Sequence, residues 1–174
     1  MKRSKKIVLL AHCILNSNSK VVGLSQYPGC LDAVITPLIQ NGTGIIQLPC
    51  PEMTFIGLKR WGMTREQYDI PTYKNHCRNI LMPIVYQIQD YLLNGYIIEG
   101  IVGVDGSPSC GVNNTCIGYS GGEWNKATNQ HQSIQEVPGK GVMIEILTDL
   151  LLEEKIVVSF SAIKETADCS LSPL

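Results

Sequence analysis

A chain of 174 residues, 44% hydrophobic and 17% charged, suits one globular domain with a single core and does not read as a disordered chain. Its net charge of -1, with no block of like charge, offers no footprint for nucleic acid or an anionic membrane surface. Seven cysteines, an odd number without an export signal, argue against a disulfide framework and turn attention to metal binding, reactivity or packing.

The opening "MKRSKKIVLLAHC" pairs basic residues with a short apolar run. The run is shorter than the roughly 7–15 residues of a signal core, so Lys6–Ala11 reads as a first β-strand of a cytoplasmic protein. Leu31–Gln40 follows with apolar residues at Leu31, Val34, Ile35, Leu38 and Ile39, helical spacing that stops at Asn41-Gly42. Gly44–Leu48 is a second strand, followed by an irregular connection over 53–74. Asn75–Leu93 has helical periodicity up to Asn94-Gly95, with Pro83 marking a bend or a restart. Tyr96–Val104 is a third strand and 106–138 a second long connection. Both connections exceed the usual length of a structureless loop, which suggests covers over a site or small subdomains. Val142–Leu152 is a third helix and Ile156–Phe160 a last strand.

Short, nearly continuous Ile- and Val-rich strands alternating with helices indicate an α/β class. The expectation is a single Rossmann-like three-layer domain over 1–174, with a mostly parallel sheet of four to five strands. No run approaches the length of a membrane span.

On this frame the cysteines sort by position. Cys13 follows the first strand ("VLLAHC"), Cys50 the second ("IIQLPCPE") and Cys110 the third ("VGVDGSPSCG"). Open α/β sheets bind ligands beyond the carboxyl ends of their strands, and neighbouring strands lie only about 4.8 Å apart. Three thiols at adjacent tips can therefore converge on one small object. Soft sulfur donors select zinc, Cu(I) or iron–sulfur clusters, and spacing alone leaves a three-ligand zinc and a three-cysteine cluster both open. Prolines on either side of Cys50 fix its direction, and Glu52 stands two positions on as an acid or base. Ser107 and Ser109 bring hydroxyls beside Cys110, and Gly111 permits close backbone approach.

A cysteine after the first strand, "CPE" after the second and "SPSCG" after the third together resemble the DUF523 (TudS-like) family, whose characterised representative is a thiouracil desulfidase, as a divergent subgroup. The resemblance spans nearly the whole chain. It implies a four-iron, four-sulfur (4Fe-4S) cluster held by Cys13, Cys50 and Cys110, with the fourth iron open to substrate. It also implies catalytic roles for Glu52 and for a serine of the third loop, Ser107 ahead of Ser109. The segments following Cys13 and following "CPE" depart from the family's pattern, so the cluster-binding core carries over better than the substrate pocket. The implied activity is non-redox removal of sulfur, as hydrogen sulfide, from a thiolated nucleobase or related thioamide. The partner is then a small molecule, and the chain itself is a monomer or homodimer.

Two other functions compete with this one. Cys50 or Cys110 could act as a metal-free nucleophile with His12 as base, or the chain could be a non-enzymatic cluster sensor. Phe55, Trp61 and Tyr68 are candidates to stack on a planar base, and Lys59, Arg60 or Arg65 to read its polar edge, although loop anchoring and solvated charge explain them more readily. Cys30, at a helix start, has a position that lowers a thiol pKa. It is nonetheless read as structural, together with Cys77, Cys116 and Cys169. Asp105 is read as a turn residue that receives backbone N–H groups, and His12 as a packed histidine.

Overall fold

The computed structural model describes residues 2–122 and 134–165. The elements run β1 (Lys6–Leu10), α1 (His12–Leu15), a 3-10 turn (Ser17–Ser19), α2 (Asp32–Gln40), β2 (Gly44–Gln47), α3 (Pro51–Ile56), α4 (Arg65–Tyr68), α5 (Pro71–Leu93), β3 (Ile97–Val104), β4 (Asn114–Ile117), β5 (Gln135–Pro138), α6 (Val142–Glu153) and β6 (Phe160–Ile163). Four strands form one sheet in the order β2-β1-β3-β6, with every neighbouring pair parallel. The chain is α/β with a Rossmann-like arrangement.

The strand order fixes where a ligand belongs. The chain steps from β1 outward to β2, then crosses back over β1 to β3 and continues to β6. Right-handed crossovers put α2 on one face of such a sheet and both α5 and α6 on the other. In agreement, α5 packs on α6 and on β3, while α2 packs on β2. The direction reverses between β1 and β3, which opens a crevice at their carboxyl ends.

The core follows from the apolar runs. Val8, Leu9 and Leu10 of β1 and Ile101 and Val102 of β3 are shut from solvent, as are Leu81, Val85 and Ile88 of α5 and Ile144 and Leu147 of α6. Each fully buried aliphatic side chain of this size contributes roughly 1.5–3 kcal/mol relative to exposure. Helices α2 and α5 end at their Asn-Gly pairs, with Gly42 and Gly95 in the left-handed region at φ 69° and 71°.

Three features differ from the sequence reading. Helix α5 begins at Pro71 and runs through Pro83 in one piece, because its buried stripe of Tyr73, Cys77, Leu81, Val85 and Ile88 holds both halves against the sheet. The last strand is Phe160–Ile163 rather than Ile156–Phe160: Val157 is 98% exposed, so the apolar run leads into the strand instead of forming it. The two long connections carry structure. The first holds the end of α3, α4 and the start of α5, and the second holds the antiparallel hairpin β4–β5. His131 and Cys169 lie outside the described residues, as does 123–133 of the second connection.

Candidate functional site

The parallel register levels the strand ends. Leu10 of β1 sits opposite Gln47 of β2 and Val102 of β3, and Val104 of β3 sits opposite Ile163 of β6. Beyond this edge lies a cavity of about 360 Å³ to which every strand of the sheet contributes. The segment after β1 provides Cys13 and Lys20, and that after β2 provides Cys50, Glu52 and Arg60. Val104 at the end of β3 is followed on the wall by 105–108 and Cys110, and Lys164 and Glu165 follow β6. The β4–β5 hairpin adds Cys116 and Glu136 from outside the sheet.

Each thiol is held by its local chain. Cys13 lies in the single helical turn of α1, so it and His12 are not disposed as alternating residues of an extended strand. Its carbonyl accepts the Tyr27 hydroxyl at 3.0 Å. Cys50 is the N-cap of α3, where Pro51 starts the helix and the Cys50 sulfur accepts the Met53 N–H at 3.4 Å. Cys110 sits in a tight loop whose backbone closes on the sheet and on α6. Val104 N–H donates to Cys110 O at 2.9 Å. The first N–H groups of α6, from Val142 and Met143, donate to the carbonyls of Pro108 and Ser109 at 2.9 and 3.0 Å. The helix thus has its orphan donors satisfied by the cysteine loop rather than by a side-chain cap.

Two glycines make that approach possible. A Cβ on Gly141 would stand 2.4 Å from the carbonyl carbon of Ser109, and one on Gly111 would stand 2.1 Å from the Asn114 carbonyl oxygen. Asp105 finishes the loop: its Oδ1 accepts N–H groups from Val112, Asn113 and Asn114 at 2.8–3.2 Å.

The two serines have different settings. Ser107 is on the cavity wall, and its Oγ accepts the N–H groups of Cys110 at 3.0 Å and Ser109 at 3.3 Å. Ser109 is fully buried, hydrogen-bonded to Tyr73 Oη at 2.8 Å, and is absent from the cavity wall. Glu52 Oε2 accepts from Arg60 Nε at 3.2 Å, and the same guanidinium donates to Gly57 O and Ser19 O. Two further ion pairs line the cavity, Lys20–Glu165 and Lys164–Glu136.

A protein of Methanocaldococcus jannaschii described as "Uncharacterized protein MJ0003" is 38% identical over 110 residues, which cover 63% of this chain and 70% of the archaeal one. The chain belongs to that protein's family. No protein-family model and no solved structure matches it.

In this family member the cavity suppresses thiol ionisation. Burial pushes Cys13 up to about 12, against the pull of the Lys20 ammonium. Cys50 is raised chiefly by burial, opposed by the Met53 N–H. Cys110 is driven well up by burial and then by the neighbouring charges of Cys13 and Cys50. Among the described residues, no group of three or more His, Cys, Asp or Glu side chains is arranged to hold a single metal ion.

Of the residues considered for a planar substrate, Arg60 alone lines the cavity. Tyr68 is buried under Tyr73, Phe55 packs edge-on against the same ring, and Trp61 points largely into solvent. Arg65 pairs with Asp69 and Glu145. His12 is also away from the cavity, and burial lowers its pKa. Cys30 is exposed and donates to Leu15 O at 3.0 Å. Lys20, Glu136, Lys164, Glu165 and Cys116 were not anticipated at the site. Only the position of Lys164 and Glu165 just past an apolar run could have suggested them.

Proposed function

We propose that this protein is an iron–sulfur-dependent desulfidase that hydrolyses the carbon–sulfur bond of a small thiocarbonyl compound and releases hydrogen sulfide. The observation that carries the reading is the meeting of Cys13, Cys50 and Cys110 with Glu52 on one cavity at the strand tips. The resemblance of "CPE" and "SPSCG" to the DUF523 family supports the same conclusion.

The donor set fits a polynuclear guest better than one zinc. Three thiolates on a single ion at about 2.3 Å each must crowd within about 4 Å of one another. Such a grouping does not occur among the described residues. A four-iron cluster gives each cysteine its own iron and so accepts wider spacing. Cys13, Cys50 and Cys110 would hold it. Bound there, it supplies an iron with a vacant position, a soft Lewis acid matched to a polarisable thiocarbonyl sulfur.

The chain's own groups carry the proton chemistry. Arg60 engages Oε2 of Glu52 and fixes the carboxylate, which takes a proton from water as that water attacks the thiocarbonyl carbon. The carbon–sulfur bond breaks, carbon keeps the water oxygen, and sulfur leaves as sulfide that is protonated to hydrogen sulfide. Ser107 has its oxygen occupied by two backbone N–H groups, so its O–H is free to donate to charge developing beside Cys110. Apolar side chains on the wall, Val21, Leu24 and Met63 among them, limit water to the reacting face.

A metal-free cysteine nucleophile is less well supported, since burial raises the pKa of Cys13, Cys50 and Cys110 and His12 does not line the cavity. The test is a sulfide-release screen of anaerobically reconstituted protein over thiolated bases and small thioamides. Release that depends on reconstitution is the expected result. Release without iron would favour the nucleophile, and an iron-replete protein that releases no sulfide would favour a sensor.

A further inference from the structure

Beyond Cys13, Cys50 and Cys110, one more described cysteine lines the cavity. Cys77 is buried in the stripe of α5 and Cys30 is out on the surface, but Cys116 is on the cavity wall. It comes from outside the four-stranded sheet, on β4, where it pairs in register with Glu136 of β5, itself a wall residue. The hairpin that carries it is fastened at both flanks. Thr115 Oγ1 donates to Ser107 O at 3.2 Å and Gly106 N–H to Asn114 O at 3.1 Å, which ties it to the Cys110 loop. Gly118 N–H donates to Glu66 Oε1 at 2.7 Å, which ties it to α4.

The Cys116 thiol itself is loosely engaged, donating to Met63 O at 3.7 Å. A long S–H bond to a carbonyl is readily given up. Cys116 and Glu52 line the same cavity as Cys13, Cys50 and Cys110.

We propose that Cys116 is a reserve fourth thiol ligand, facing the three strand-tip cysteines from the hairpin and filling the coordination position they leave vacant until a substrate sulfur displaces it. This rests on the cluster-binding reading above. On ligation, the thiol gives its proton to solvent and releases the Met63 carbonyl. When the substrate sulfur takes the position, the metal–thiolate bond breaks and Cys116 regains a proton. Ligand and proton exchange in both directions, and no electron changes hands.

The test uses anaerobically reconstituted wild type, C116S, C116D and C30S, the last as a control whose exposed thiol does not line the cavity. Each is exposed to ferricyanide while iron content and the three-iron EPR signal are followed. The expected result is that C116S loses its fourth iron roughly tenfold faster than wild type, the low end of what removing one supporting group costs a metal site. C116D, which keeps an anionic ligand, falls between them, and C30S matches wild type. Equal rates in wild type and in both Cys116 variants, with matching melting curves, would overturn the assignment while leaving the proposed function intact. Failure of wild type to bind iron would remove both.

Discussion

Arg60 and Glu52 form a largely buried ion pair, Nε to Oε2 at 3.2 Å, on the wall of the cavity that Cys13, Cys50, Cys110 and Cys116 also line. The pair joins the first turn of α3 to the loop before α4, and Arg60 also holds the Ser19 carbonyl at 2.7 Å. One carboxylate is therefore aimed by a cation that is itself locked to two backbone carbonyls.

Glu52→Gln keeps an oxygen for Arg60 to bond and should leave the fold and iron content unchanged. Turnover should fall about 100-fold, the scale of a lost general base. Sulfide release per bound iron is the measurement. Arg60→Met should act differently, stranding the carboxylate and costing about 3 kcal/mol of stability by urea unfolding.

Gly141→Ala and Gly111→Ala test the seating of Cys110. Both added methyl groups would meet backbone atoms, the Ser109 carbonyl carbon and the Asn114 oxygen, so the loop itself must move. Each should destabilise the protein by about 1–3 kcal/mol and lower iron uptake, checked by thermal melting and iron analysis.

Asp105 gives the loop an acid limit. Burial pushes its pKa up, but N–H groups from Asn113, Val112 and Asn114 outweigh that and hold it below its ordinary 3.8. A depressed folded pKa contributes stability above the unfolded value, and that stability fades as pH falls through the folded one. Wild type should lose stability below about pH 4. Asp105→Ala, which leaves three N–H groups unpaired, should be about 2–3 kcal/mol less stable at pH 7 and show a flatter acid transition. Urea midpoints across pH 3–7 decide it.

The raised thiols predict an order of alkylation in protein without metal. Because burial lifts the Cys13 pKa to about 12, its thiolate fraction at pH 8 is very small and grows with pH up to that value. Iodoacetamide at pH 8 should modify exposed Cys30 first, with Cys13, Cys50 and Cys110 slower and accelerating toward pH 11 in peptide mass maps.

The strand tips were legible because parallel buried strands show as uninterrupted Ile and Val runs, which placed Cys13, Cys50 and Cys110 at chain positions just past them. The hairpin was not. "NTCI" and "QEVP" are short, half polar and far apart in sequence, so their pairing depends on tertiary contacts that no local pattern records. Cys116 was read as structural for the same reason. Ser107 and Ser109 share one tripeptide, and only the turn geometry sends one to the cavity and the other to Tyr73. The last strand was read early because Val157 looks like a core residue until its exposure is known.

Iron and acid-labile sulfide per chain, measured after anaerobic reconstitution of wild type and of C13S, C50S and C110S, test the central claim most directly. The account predicts about four of each per wild-type chain, with a sharp loss in all three variants. Wild type without iron, or iron binding that survives each of the three substitutions, would contradict it.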